Sequence, residues 1–599
     1  MKKTIVFILS AALFLCSCKY NNIKYSDDVF YVSEENSNIS SQELSTTAEK
    51  LSFDENDYYI GRENQNPVYI TLSDNTSTSS GNNVTISKNK ITINSKGTYI
   101  LSGTLSDGEI IVDTDSNSIV RLVFNGINVK NSSSSAVYIK QAKKTIISLE
   151  SGTQNFLEDG LKYVFEDNVT DEPSACLYSK DDLTINGEGT LTVKGNYNDA
   201  ITCRDILKIT EGNFDISSLD DAVIGRDFLQ IKNGSFKITS KGDGIKSSNS
   251  EGGTKGSIII ENGKFDITSS KDAIQTENYI LIENGTFNIS SGGGSSDVVS
   301  NSDFPEKNNF QNSFSDTEST KGIKSVNNIF ITGGSFTIDS LDDNIHSNGN
   351  ITVNGGSFKI STSDDGFHAD NILTINNGDI NISKSYEGLE GTSVIINGGT
   401  VNLKASDDGI NSAGGSDTGE STGFFGRDNF KGGPMGKTSS LNCNITINGG
   451  KITVDADGDG IDANGSIYMN NGEIYINGPV NGGNGALDYD SEFIIKDGLL
   501  IAAGSAEMLQ LPSQNSDVNI ISYTSSGYIS ETIYVKDLKG SVIMSFSPSK
   551  TFRNIIFAGK SLNNNTSYTL YSGNTKISDF TVSDTITYIG QNKGMGNFH

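Results

Sequence analysis

The chain has no tryptophan, only 7 prolines and 3 histidines, and no apolar run long enough to form a permanent membrane helix. Few prolines, with abundant Ile and Thr, argue against disorder and for strands. No stretch shows the 3.6-residue apolar spacing of an amphipathic helix. Basic residues are also scarce: 45 Lys and Arg stand against 73 Asp and Glu, for a formal charge of −28. A surface of that sign lacks the basic face that phosphates require, so nucleic acid is excluded as a partner. Glycine is plentiful, at 64 residues, and with many Asn supplies frequent tight turns. A hydrophobic fraction of 34% is low for a thick globular core and suits an elongated fold with much surface.

The N-terminus reads as an export signal: Lys2 and Lys3 precede a short apolar core from Ile5 to Leu15. Leu15-Cys16-Ser17-Cys18 resembles a bacterial lipobox. That resemblance implies cleavage after residue 17 and lipidation of Cys18, which anchors the protein on the outer face of the cell membrane. Residues 18–52 are polar and aperiodic and read as a flexible tether. With Cys16 removed and Cys18 acylated, Cys176, Cys203 and Cys443 remain, and buried free thiols fit them better than disulfides or a metal site.

From residue 53 onward short alternating strands appear, and within them an internal repeat. Its mark is an acid, a small residue or Asn, then a large apolar residue. It occurs at Asp199-Ala-Ile201, Asp221-Ala-Val223, Asp243-Gly-Ile245 and Asp272-Ala-Ile274. It continues at Asp343-Asn-Ile345, Asp365-Gly-Phe367, Glu387-Gly-Leu389, Asp408-Gly-Ile410 and Asp459-Gly-Ile461. Lys321-Gly-Ile323 fills the slot without the acid. The period is 22 residues from Asp199 to Asp221 to Asp243, and again from Asp343 to Asp365 to Glu387. Each unit carries about five inward apolar positions and a glycine column, Gly234 to Gly472, which marks a turn needing positive φ. This pattern predicts an all-β, right-handed parallel β-helix over residues 53–504, with three short strands per coil. Residues 53–135 are expected to cap its start, and 505–599 to form a C-terminal β cap and tail. Two long insertions, 292–320 and 413–441, are expected to loop out of one coil edge.

Equivalent positions on stacked coils lie about 4.8 Å apart. The repeat therefore predicts a ladder of like charges, doubled where Asp220, Asp342, Asp364 and Asp407 precede the column acid. Such a ladder raises its members' pKa values unless a hard cation with oxygen ligands relieves it. Calcium ligands are expected among Asp220, Asp221, Asp243, Asp342, Asp343, Asp364, Asp365, Glu387, Asp407, Asp408, Asp455, Asp457 and Asp459. An EF-hand reading of Asp455, Asp457 and Asp459 fails, because the twelfth position is Ser466 and no helices flank the loop.

The stretches Ser179-Lys-Asp-Asp-Leu-Thr-Ile-Asn-Gly187, Lys384-Ser-Tyr-Glu-Gly-Leu-Glu-Gly391 and Ala405-Ser-Asp-Asp-Gly-Ile-Asn411 resemble a bacterial family of cell-surface, carbohydrate-binding β-helix proteins. The resemblance covers roughly residues 68–590. It implies bound calcium and binding of polygalacturonate or cellulose. Without tryptophan, stacking on neutral sugar faces falls to Tyr197, Tyr386, Phe310, Phe424 and Phe425, so an acidic, pectin-like polysaccharide is the expected ligand. Tyr386, Glu390, His346, His368 and Arg226 are the candidate sugar contacts, and the protein is expected to be monomeric. The rival classes are a calcium-dependent lyase or hydrolase of the same fold and a structural or adhesive surface protein. For a lyase the candidate bases are Arg204, Arg226, Lys246 and Lys324. Recurrence of the paired acids, and drift in the slot that holds His346 and His368, speak against one unique catalytic constellation.

Overall fold

A computed structural model describes residues 48–58, 66–165, 171–295, 318–413 and 443–590. Among these residues the only helical element is a 3-10 turn at Glu55–Asp57; all else is strand or turn. Cys18, the signal segment, Phe310, Phe424 and Phe425 lie outside the described residues, as do the bulk of the tether and of both insertions.

Each repeat unit makes one coil of a parallel β-helix, adding a strand to each of three parallel sheets. The first sheet stacks Asp199–Cys203, Val223–Gly225, Ile245–Ser247, Ile274–Thr276, Ile323–Ser325 and Ile345–Ser347, and continues to Ile461–Ala463. The second stacks the strands that begin with Ile206–Ile209, Phe228–Ile231 and Ser257–Ile260. The third stacks Asn213–Ser218, Ser235–Ser240, Lys264–Ser269, Thr286–Ser291 and their successors. Alternation turns one face of each strand inward, so Ile245 of the first sheet, Ile258 and Ile260 of the second and Ile267 of the third meet in one continuous buried core. Six phenylalanines stack along it: Phe214, Phe236, Phe265, Phe287, Phe336 and Phe358, with ring centroids 4.6 to 4.9 Å apart and planes within 8°. The glycine two residues before each ring has a reason to be glycine. At Gly285, with φ +134°, a Cβ would sit 2.9 Å from the Phe287 ring and 3.1 Å from the Gly263 carbonyl.

The ends depart from expectation in detail. Parallel stacking begins well inside the expected cap: Val68–Leu72 pairs with Gly97–Leu105, which pairs with Ile119–Lys130. Capping is left to two antiparallel pairings, of Val68–Leu72 with Thr78–Ser79 and of Val84–Ser87 with Lys90–Ile93, which cover strand edges that would otherwise be open. The tether boundary at residue 52 also moves. Residues 48–58 lie along the outside of the second sheet, where Leu51 donates its N–H to Gln230 (3.1 Å) and Lys50 pairs with Glu283 (2.5 Å). Asp57, fully buried, is gripped there by Lys144, Lys208 and Thr184. At the other end Phe552–Gly559 pairs antiparallel with Leu499–Gly504, ending the parallel run. A separate four-stranded antiparallel sheet packs Ile533, Leu570 and Val582 against Ile501, Ile521 and Phe557 of the main sheet in a second core. The two long insertions leave from different corners: one joins the third sheet to the first, the other the first to the second.

Candidate functional site

The column acids occupy the corner where the third sheet turns into the first. On the upstream coils a serine at the end of the third-sheet strand shapes the turn. Ser218 donates to the carbonyl of Asp220 (2.7 Å), Ser240 to that of Gly242 (3.0 Å) and Ser269 to that of Lys271 (2.9 Å). The acid that follows turns into the protein, so Asp343, Asp365 and Glu387 are only 1%, 4% and 4% exposed. One carboxylate oxygen then accepts the backbone N–H of the column residue on the next coil. Asp221 accepts from Asp243 (2.7 Å), Asp243 from Asp272 (3.0 Å) and Asp272 from Lys321 (2.7 Å). Asp343 accepts from Asp365 (3.0 Å), Asp365 from Glu387 (3.0 Å) and Asp408 from Asp459 (2.6 Å). The ladder of like charge exists, but the expectation that only a metal could relieve it is corrected. Backbone amides compensate it first, because a charge-assisted hydrogen bond favours the carboxylate.

Upstream, side-chain cations complete the compensation. Lys246 bridges Asp221 (3.0 Å) and Asp243 (2.6 Å), and Lys324 lies 3.6 Å from Asp272. Lys321, itself buried, reaches Asp343 (2.6 Å) and Asp342 (2.9 Å). Burial opposes ionisation of Asp343, yet Lys321 and His346 hold its carboxyl well below the usual range. Elsewhere burial wins: Asp199 is pushed up to about 7, helped by Asp221, and Asp243 up to about 6 in spite of Lys246.

Downstream the side-chain cations stop. Ligand oxygens of Asp408, Asp459 and Asp462 lie within 4.8 Å of one another, and among the described residues none of the three has a cationic partner. Burial and then Asp407 push Asp408 up to about 8; burial pushes Asp459 up to about 6; burial and then Asp488 push Asp462 up to about 7. A carboxyl whose folded pKa exceeds its unfolded value stabilises the fold while protonated and loses that contribution as pH rises between the two values. In EDTA, therefore, the melting temperature should fall between about pH 4 and pH 8, and Asp408→Asn should raise it at pH 8 while changing it little at pH 4. Thermal melts across that range check this; a flat profile, or a destabilised Asp408→Asn variant at pH 8, would count against the cluster.

The remaining expected residues sort as follows. Asp220 joins Asp199 and Asp221, while Asp342 and Asp364 join Asp343, each set within 4.8 Å. Glu387 accepts from Asn411 (2.8 Å). Asp455 and Asp457 do not converge with Asp459; both are held by Lys550 of the C-terminal region, each at 2.9 Å. Tyr386 is half-buried, and its backbone bridges the carbonyl of Asp364 and the amide of Asp407. Arg226 is half-buried at the corner beyond the first sheet, where its carbonyl accepts from Asn249 (2.9 Å). Tyr197 stacks on Tyr163, with centroids 4.2 Å apart. Of the candidate lyase bases, Arg204 is engaged by Glu172, and Lys246 and Lys324 by column acids. His346, His368 and Glu390 occupy one slot on successive coils of the first sheet. Burial pushes Glu390 up to about 7. Cys176, Cys203 and Cys443 are buried free thiols.

Sequence reasoning named Asp199 in the repeat but not as a ligand, and left Asp462 out of the site. The signal for Asp462 was available: it stands three residues after a column acid, where upstream coils place Lys246 or Lys324. Sign reversal in that slot marks where the protein's own cations run out.

Three parallel sheets wound from a 22-residue repeat, with an acid column along one corner, define the class: a parallel β-helix carrying a polyanionic corner. Residues 87–366 match the family model described as carbohydrate-binding domain-containing protein. A protein of that description from Acetivibrio thermocellus is 42% identical over 135 residues, which cover 22% of this chain and 47% of the relative. The chain thus matches about half the length of that relative. A solved structure described as a polysaccharide lyase-like protein from C. thermocellum, gadolinium derivative, is 36% identical; the match covers 38% of this chain and 92% of that one, with a TM-score of 0.37.

Proposed function

We propose that the protein is a cell-surface lipoprotein that binds an acidic, pectin-like polysaccharide through calcium held on its acidic column, without cleaving it. Support for sugar binding comes from the match over residues 87–366 to a family described as carbohydrate-binding. Support for calcium comes from one observation, the convergence of Asp408, Asp459 and Asp462 with no cationic partner among the described residues. Calcium takes six to eight oxygen ligands, and three carboxylates leave positions for others. A protein of charge −28 repels a polyuronate directly; a calcium ion shared between both sets of carboxylates reverses the sign of the contact. Lipidation of Cys18 would hold this surface against the extracellular matrix, a reading supported by Leu15-Cys16-Ser17-Cys18. Three of the four candidate lyase bases, Arg204, Lys246 and Lys324, are engaged by Glu172, Asp221, Asp243 and Asp272, which favours retention over elimination.

The test is polygalacturonate binding by the mature protein in calcium and in EDTA, with ultraviolet absorbance followed for unsaturated uronate. Retention should fall roughly tenfold or more on chelation and equally in the Asp408→Asn/Asp459→Asn variant, with no rise in absorbance. Undiminished binding in EDTA would remove the calcium bridge, and accumulating unsaturated product would make the protein a lyase.

A further inference from the structure

Two of the chain's 3 histidines, His346 and His368, stand in the same slot of adjacent coils, with ring centroids 4.9 Å apart. Their surroundings differ. Nδ1 of His346 lies 2.8 Å from Oδ2 of Asp343, and that carboxylate is already paired with Lys321 at 2.6 Å. Among the described residues no lysine pairs with the acids around His368. Its Nε2 lies 3.3 Å from Oδ1 of Asp370, while Nδ1 faces two carboxylates at once, Oδ2 of Asp365 at 3.2 Å and Oε2 of Glu390 at 2.5 Å. His368 and Glu390 are each 1% exposed and Asp365 is 4% exposed. Although Oε2 of Glu390 is so close to the ring, neither of its oxygens accepts a hydrogen bond of acceptable geometry. Asn411, which follows Glu390 in the slot, likewise leaves its buried Oδ1 without a donor.

With Nε2–H given to Asp370, a neutral imidazole points its Nδ1 lone pair at two buried carboxylates. Three sets of electrons then converge, and buried carboxylates left unpaired are costly. One proton on Nδ1 serves one carboxylate and leaves the other. A divalent cation engages all three donors. The carboxylate behind the far nitrogen is the arrangement that fixes the tautomer and orientation of a metal-bound histidine. We infer that Asp365, His368 and Glu390, whose ligand atoms lie within 4.8 Å of one another, form a buried site for a divalent transition cation of the zinc class, with Asp370 orienting the imidazole. An imidazole among the donors selects such ions, whereas calcium takes oxygen. The site therefore differs in chemistry from the all-carboxylate cluster at Asp408, and it locks two successive coils together rather than facing a glycan.

The experiment uses the chelator-stripped full chain titrated with Co²⁺ as a spectroscopic probe. One equivalent should develop a visible ligand-field band without the thiolate charge-transfer band that the cysteines would give. Zn²⁺ should displace it, and a large excess of Ca²⁺ should not. His368→Gln and Glu390→Gln should each weaken Co²⁺ binding roughly tenfold or more, while His599→Gln keeps the band. If His368→Gln fails to fold by circular dichroism, Glu390→Gln carries the test. Absence of the band, its survival in folded His368→Gln or Glu390→Gln, or its displacement by Ca²⁺ would overturn the site. None of these outcomes depends on polysaccharide binding, so this inference and the proposed function fail separately.

Discussion

Lys321→Met should destabilise the protein by about 3–5 kcal/mol, because it leaves Asp343 as a buried charge without its main partner. Lys321 is the one basic residue in a column otherwise filled by acids. Its backbone N–H satisfies Asp272 (2.7 Å), and its ammonium satisfies Asp343 and Asp342 on the next coil. Methionine keeps the volume and the backbone hydrogen bond but deletes the charge, and His346 and the Asp365 N–H remain on the Asp343 carboxylate. The design of the test follows from the amide that Asp343 also serves. Asn in its place still accepts from the Asp365 N–H, so Lys321→Met/Asp343→Asn should recover much of the loss. Urea and thermal unfolding of the two variants decide this. Equal destabilisation of single and double variants would mean that packing, not charge, holds the pair. The sign with pH is fixed as well. Asp343 has a depressed carboxyl, which contributes stability above its unfolded pKa and loses it as pH falls. The gap between wild type and Lys321→Met therefore narrows on acidification.

Phe336→Ala should cost about 3–5 kcal/mol. The ring lies between Phe287 at 4.8 Å and Phe358 at 4.6 Å, and it is 1% exposed. Removing it opens a cavity in a core only one coil cross-section wide and breaks both aromatic contacts, each worth about 0.5–1.5 kcal/mol beyond area burial. Phe336→Ile should cost far less, because coils beyond the stack carry Ile380, Val401, Ile452 and Ile474 in the same position. Because a solenoid is held by its nearest neighbours, the damage should concentrate locally. Hydrogen exchange should speed first in Thr286–Ser291, Ser335–Ser340 and Ser357–Thr362. Uniform acceleration along the whole chain, or an Ile variant as unstable as Ala, would contradict this account.

Much of the fold was legible because the repeat is literal. A 22-residue period, two-residue alternation and a glycine column leave few alternatives to stacked parallel coils, and Ile345, Phe367, Leu389 and Ile410 lie in register as their spacing requires. The ends were less legible, since a capping strand differs from a coil strand only in its partner. Val68–Leu72 reads the same whether it caps or stacks. The docking of residues 48–58 could not be read from their polarity, because it rests on contacts with residues far along the chain, such as Asp57 with Lys208. In the site, spacing aligned the acids but did not give the direction in which they point. An acid at a turn reads as solvent-facing, yet Asp343 turns inward to serve the amide of Asp365.

The sequence by itself determined that acids recur in register along one corner of a coil, because a fixed period in a stacked fold puts equal positions side by side. Tertiary structure decided what each acid meets. The next coil's amide, Lys321 reaching Asp343, Lys246 reaching back to Asp221 and, around Asp408 and Glu390, the carboxylates of Asp459 and Asp365 come from residues more than 20 positions away, whereas Lys246 meets Asp243 from within its own coil. Beyond such partners three residues away, charge compensation depends on distances of a few ångströms between different coils, which no local pattern contains.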